Sequence, residues 1–176
     1  MSTLAPPVIE AGAQVPADLV VERPTAAPGL ETDRVATSWP DRRLDYYAGA
    51  RWSGELPRVV QSLAVEALDS SGRLRSVHGD AVRVRATHAL NLDVRRFEAD
   101  YARGTVPVAR VVLAASVSRR SDGRQLEAFA VAAEVPASAN TLTAVVAALD
   151  AAQAQAVKEL AGRTLEALAA EAPRQP

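Results

Sequence analysis

The hydrophobic positions of residues 54–70 recur with the period of an α-helix. Pairs three or four residues apart along a helix lie on one face, so this series predicts an amphipathic helix. We expect Ser53 to cap its first turn and Gly72 to end it in a left-handed conformation. The apolar series consists of Leu56, Val59, Val60, Leu63, Ala64, Ala67 and Leu68.

A second helical series extends over residues 140–170. It is rich in alanine, which favours helix formation and allows a helix to pack closely on the element beneath it. Its expected buried stripe consists of Leu142, Val145, Val146, Leu149, Ala152, Ala156 and Leu160.

Between the two helices, three segments show strand patterns. Residues 88–98 alternate between apolar and polar, which is typical of a strand with one face on a core and one in water. Residues 106–118 are apolar on nearly both faces and are expected in the middle of a sheet. Residues 124–135 follow the Ser-Asp-Gly sequence at 121–123, which favours a hairpin turn. Two shorter strands are predicted, at 19–21 and 34–39.

These elements predict an α+β fold: a largely antiparallel sheet with two amphipathic helices packed on one face. The other sheet face would be exposed to water or covered by another subunit. The chain has 176 residues, enough for one domain. We expect a flexible N-terminal tail over residues 1–16 and a single domain over residues 17–172.

Composition excludes several classes of function. The 20 Lys and Arg residues nearly balance the 21 Asp and Glu residues, so there is no net field to attract nucleic acid or an anionic bilayer. The absence of cysteine excludes disulfides, thiolate metal sites and cysteine nucleophiles. No apolar run approaches the roughly 20 residues of a membrane-spanning helix, and no signal peptide is recognisable.

The sequence contains no recognisable catalytic or metal-binding constellation. His78 and His88 fall on different predicted elements, without further ligands at suitable spacing. Asp93 and Glu98 are five positions apart in one predicted strand, which would place them on opposite faces. We therefore expect no enzyme activity, no cofactor and no metal.

Residues 42–52 form the densest unusual segment. Aromatic residues make up 4% of the chain, yet Tyr46, Tyr47 and Trp52 occur together here with Arg42 and Arg51. Tyr, Trp and Arg often anchor protein interfaces, so we predict that these five residues bind a partner. The alternative is that Trp52 and one tyrosine pack the segment against the following helix, with their polar tips hydrogen-bonded.

A second surface is predicted on the polar face of strand 88–98. Asn91, Asp93 and Arg95 fall together on that face. A mixed-charge surface of this kind suits a polar interface between identical subunits, so we predict that these residues mediate self-association.

The order and spacing of several motifs resemble the ABC-type transport auxiliary lipoproteins of the PqiC (YmbA) type. The resemblance extends over nearly all of the chain from Leu19 onward. The motifs are DRVA at 33–36, LDYYAGARW at 44–52, LP at 56–57, LNLDVRRFE at 90–98, residues 129–136, and VVAALDAA at 145–152.

This resemblance implies a bacterial lipoprotein on the periplasmic face of the outer membrane, working with an ABC transporter and an MCE-domain protein that move lipids across the envelope. It also implies a ring-shaped homo-oligomer when anchored. The lipid-bearing cysteine is not in this sequence, and we expect an anchor to precede it; the alternative is a member without an anchor. We expect a non-catalytic docking role, with a carrier that holds lipid between sheet and helices as the alternative.

Overall fold

A computed structural model describes residues 1–172 as one mixed sheet with two helices. The helices are α1 (Leu56–Ser70) and α2 (Leu142–Glu171). The strands are β1 (Val15–Val21), β2 (Thr25–Ala26), β3 (Arg34–Ser38), β4 (Leu44–Arg51), β5 (Leu74–Gly79), β6 (His88–Asp100), β7 (Val108–Arg119) and β8 (Gln125–Pro136).

The long strand β6 organises the sheet. One of its edges pairs with β7, which pairs with β8, and both pairings are antiparallel. Its other edge pairs in parallel with β1, β2 and β3, which follow one another along it. Strand β5 extends the sheet beyond β1 in parallel, and β4 extends it beyond β3 in antiparallel orientation.

The α+β class is confirmed, but the sheet is more mixed than predicted. The long β6–β7–β8 meander is antiparallel, as adjacent strands joined by short turns must be. Strands β1 to β3 run in the same direction as β6. Parallel neighbours need a crossover connection, and the chain provides one by passing through β4, α1 and β5 between β3 and β6.

A β-bulge in β6 changes which side chains share a face. Val94 pairs with Leu113 and Arg96 pairs with Val112, so Arg95 is the extra residue. An extra residue shifts the alternation by one position, and every later side chain changes face. The prediction that Asp93 and Glu98 lie on opposite faces was therefore wrong, and both lie on the face away from the helices.

Both helices pack on the same sheet face, as predicted, and share one apolar core. Leu90 and Val94 of β6 and Val111 of β7 are completely buried beneath α2. Leu142, predicted in the stripe of α2, is exposed because it occupies the first residue of that helix, beyond the sheet.

Some of the helix ends have the capping residues that their local sequence favours, and others do not. Thr141 caps α2, where its side-chain oxygen accepts a hydrogen bond from the Ala144 amide at 3.3 Å. Helix α1 instead begins after Glu55 without a side-chain cap, so the prediction of Ser53 as N-cap was wrong. Gly72 adopts φ +64°, the left-handed conformation expected after α1.

The segment predicted as a tail contacts the rest of the domain. The Ser2 amide donates to the Arg51 carbonyl at 2.7 Å, and the Ala5 amide donates to the Asp150 carboxylate of α2 at 2.9 Å. Leu4 is buried in the core, and β1 begins at Val15, inside the predicted tail. Flexibility of the residues before β1 stays a prediction.

Candidate docking surfaces

Trp52 lies in the core directly after β4. Its side chain is 1% exposed, and its ring meets Phe97 edge-on, at 5.7 Å between ring centroids and 86° between planes. A side chain buried to this extent cannot contact a partner on the surface, so the partner-binding prediction does not fit Trp52. The burial agrees with the interior packing of Trp52 in the alternative reading, but its indole nitrogen has no hydrogen-bond partner within residues 1–172, and packing against α1 stays a prediction.

Tyr46 and Tyr47 hold the edge strand β4 to the domain. The Tyr46 hydroxyl donates to the Gly29 carbonyl at 2.8 Å, and the Arg34 guanidinium lies 4.2 Å from its ring centroid. The Tyr47 and Tyr101 hydroxyls are 2.5 Å apart. Burial, followed by this hydrogen bond, raises the pKa of Tyr47 far above its usual value. Both tyrosines are half-buried, and their contact with a partner stays a prediction.

Arg51 is exposed at the end of β4 and already has an anionic neighbour. Its guanidinium donates to both oxygens of Asp33, at 2.6 and 2.8 Å. The hydrogen bond from Arg51 is the main reason why the pKa of Asp33 lies below its usual value. Exposed ion pairs of this kind contribute about 0–1 kcal/mol, so Arg51 remains available to a partner at little cost.

Arg42 differs from the other four predicted partner-binding residues in backbone and surroundings. It occupies the turn between β3 and β4 with φ +63°, in the left-handed region that non-glycine residues seldom adopt. Within the described residues its guanidinium forms no hydrogen bond and no ion pair. The side chain lines a cavity of about 500 Å³ on the sheet face away from the helices.

We call this cavity the arginine cavity. It brings together charged residues that the sequence pattern does not predict to lie close to one another. Its polar lining consists of Ser38, Arg42, Arg95, Arg96, Glu98, Asp100 and Arg110. The two carboxylates are paired, Glu98 with Arg96 at 2.9 Å and Asp100 with Arg110 at 3.1 Å. Burial raises the pKa of Glu98 in spite of the Arg96 charge.

Sequence reasoning missed the arginine cavity because the bulge at Arg95 was not foreseen. Without the bulge, Glu98 and Asp100 would point into the apolar core. One signal was present: Arg110 is the single charged residue in the mostly apolar segment 106–118, where a buried charge needs a partner.

The predicted self-association residues lie on the uncovered side of the sheet. The Thr25 hydroxyl donates to Asp93 at 2.8 Å, and Arg95 approaches the same carboxylate at 3.5 Å. Asn91 lies opposite Ser116 in the register of β6 and β7. Small side chains of β7 and β8 surround them. We call this surface the open face: Asn91, Asp93, Arg95, Ala114, Ser116, Ala128, Ala130 and Ala132.

The two histidines do not form a metal site. His88 is buried and contacts Glu171 at the end of α2, and Glu171 also accepts a hydrogen bond from Arg119 at 2.7 Å. No group of three or more potential metal ligands occurs within residues 1–172. Neither described helix is both long enough and apolar enough to cross a membrane.

The comparison with known families agrees with this architecture. The family model described as ABC-type transport auxiliary lipoprotein component matches residues 2–161. The chain belongs to this family. The resemblance stated from the motifs is thereby confirmed, and the family is described as an auxiliary component of transport.

Solved structures share the fold. The protein XCC0632 from Xanthomonas campestris is 30% identical, with a TM-score of 0.87 over 94% of this chain and 95% of that chain. The hypothetical protein CT253 from Chlamydia trachomatis is 8% identical, with a TM-score of 0.61 over 88% and 99%. PelC from Paraburkholderia phytofirmans, solved as a dodecamer, is 13% identical, with a TM-score of 0.51 over 99% and 100%. No curated protein matches the chain.

Proposed function

We propose that this protein is a non-catalytic docking component of an ABC/MCE-type system that moves lipids across the bacterial envelope. It acts from the periplasmic face of the outer membrane, tethered through a lipid anchor, as a homo-oligomer that binds an MCE-domain protein. Membership of the auxiliary lipoprotein family supports the transport role.

The open face is the observation that carries the proposal. The helices cover one side of the sheet and leave the other uncovered over β6, β7 and β8. Ala128, Ala130 and Ala132 are exposed there in a row along β8. Short side chains allow a second protein surface to approach the sheet closely, and Asp93 and Arg95 beside them supply charges that can fix its orientation.

The PelC structures support self-association. PelC, which has the same fold, is a dodecamer in two crystal forms. Closed rings arise when one subunit patch meets a different patch on the next subunit. We propose that the open face is one of these two patches, and that residues 42–51 bind the MCE-domain partner.

The alternative of a carrier is less consistent with the packing. A lipid held between sheet and helices would need space there, and this region is filled by completely buried side chains such as Leu90, Leu113 and Leu149. We therefore favour docking over carriage.

Sedimentation velocity of the lipid-anchored protein in detergent tests the proposal. We expect a closed oligomer for the parent, and a monomer for Ala130→Arg, since a long charged side chain would block close approach to the open face. The matched control is Ala151→Arg on the exposed side of α2, which should still assemble. A monomeric parent at every concentration, with the MCE-domain protein present, would refute the assembly.

A further inference from the structure

We infer that the arginine cavity binds a phosphate group, carried by a lipid headgroup or by a small soluble molecule. The cavity volume of about 500 Å³ is in the range of small-molecule sites. The cavity shares Arg42 with the proposed partner-binding segment and Arg95 with the open face. Binding of a small anion can nevertheless be measured without any partner protein, so the inference can fail while the docking role stands, and the reverse.

The charge of the lining favours an anion. Four arginines line the cavity against two carboxylates, and both carboxylates already have an arginine partner. Arg42 has no counter-ion within residues 1–172. Arg95 has only a long contact of 3.5 Å with Asp93, made in solvent. The guanidinium groups of Arg42 and Arg95 are therefore free to bind an incoming oxyanion.

A second observation points to a ligand independently of charge. Ser38 is 8% exposed and lines the same cavity, yet its hydroxyl oxygen has no hydrogen-bond partner within the described part of the chain. A buried hydroxyl without a partner costs free energy, and most such groups in proteins are satisfied. The oxygen is covered by its neighbours, so a ligand oxygen entering the cavity would satisfy it once the side chains over it move aside.

The backbone of Arg42 gives a third indication. Holding arginine at φ +63° is unfavourable by comparison with glycine, and strained residues of this kind cluster at functional sites. The left-handed backbone at Arg42 places a long cationic side chain at the rim of the cavity. Glycine would fit the turn better but would provide no charge there.

The chemistry of the donors selects phosphate. A guanidinium donates two parallel hydrogen bonds, and this fork matches the oxygens of phosphate. Two free arginines with the Ser38 hydroxyl provide more donors than the two oxygens of a carboxylate can use. Beside them Leu30, Trp39 and Leu44 form an apolar wall that could contact the rest of a larger ligand.

The test is an NMR titration that follows backbone amides and arginine Nε–Hε signals in a buffer without phosphate or sulfate. Inorganic phosphate should produce saturable shifts at Arg42, Arg95 and Ser38. Dihexanoyl phosphatidylglycerol, added below its micelle concentration, forms the second arm. Affinity at least about tenfold tighter for the lipid would assign the phosphate to a headgroup, and equal affinities would assign it to a small soluble molecule.

Three variants decide whether the cavity is the site. Arg42→Gly suits the left-handed backbone and should weaken phosphate binding about tenfold, as loss of a charged hydrogen-bonding partner does. Ser38→Ala removes a hydroxyl that no described group uses, so it should keep the fold and weaken binding several-fold. The control Arg124→Ala, in the exposed β7–β8 turn, removes the same charge and should leave affinity unchanged. Absence of saturable shifts, or equal weakening in Arg42→Gly and Arg124→Ala, would overturn the inference.

Discussion

Replacing Trp52 by alanine would remove the largest fully buried side chain of the domain. Phe or Trp to Ala changes in cores cost about 3–5 kcal/mol, from lost burial and the cavity that remains. The edge-on contact with Phe97 accounts for about 0.5–1.5 kcal/mol of this. The indole nitrogen lacks a partner within residues 1–172, and the substitution relieves that penalty. We therefore expect a loss near the lower end, about 3 kcal/mol.

For a domain of this size, 1 kcal/mol corresponds to about 2–4 °C in melting temperature, so Trp52→Ala should melt about 6–12 °C lower. Circular dichroism is the suitable assay, because the substitution removes a fluorophore. The matched control is Trp39→Ala: Trp39 is 37% exposed and stacks on Tyr101 at 4.6 Å, which predicts a loss of about 1 kcal/mol. Equal losses for the two variants, or a Trp52→Ala protein as stable as the parent, would refute the assignment of Trp52 to the core.

Three further predictions concern local interactions. The hydrogen bond from the Ser76 hydroxyl holds the pKa of Asp18 below its usual value, so this interaction stabilises the fold above about pH 4 and is lost as pH falls further. Urea unfolding should therefore show Asp18→Asn less stable than the parent at pH 7, with a smaller difference at pH 3; a constant difference would contradict it. Arg42→Gly should raise the free energy of unfolding by about 0.5–1 kcal/mol, and a loss would argue against backbone strain. Thr141→Ala should cost about 1 kcal/mol through the lost cap on α2, and no change in urea unfolding would show that the cap contributes nothing.

The elements with strong periodicity were predictable from sequence. Helices α1 and α2 and the strands β6, β7 and β8 occupy nearly their predicted positions, because each buries one continuous apolar face. The turn before β8 also follows its residues, since Gly123 adopts φ +71° as a hairpin turn at Asp-Gly requires.

The strands β4 and β5 were not predicted, because pairing and not hydrophobic pattern stabilises them. Strand β5 contains Arg75, Ser76 and His78 among few apolar residues and is held in parallel beside β1. Strand β4 includes Gly49 at φ +70°, which weakens any strand pattern. Such strands depend on contacts with residues distant in sequence, which local patterns do not encode.

Only part of the candidate surfaces could be predicted from the sequence, again because local patterns do not encode contacts between residues distant in the chain. The alternation of β6 correctly placed Asn91 and Asp93 on one polar face. The clustering of aromatics before α1 drew attention to residues 42–52, but composition cannot separate a buried Trp52 from an exposed anchor. The arginine cavity required knowledge of the bulge at Arg95, and a bulge is determined by the partner strand as much as by the strand itself.

The most direct test of the account asks whether the open face becomes covered in the envelope. The chain contains no cysteine, so Ala130→Cys and the control Ala151→Cys each introduce a single reactive thiol. Maleimide labelling rates should be compared between the isolated soluble chain and the lipid-anchored protein in membranes that contain the MCE-domain partner. We expect labelling at position 130 to become much slower in the membranes, while labelling at position 151 keeps its rate. Equal rates at position 130 in both preparations would contradict the claim that the open face is a docking surface.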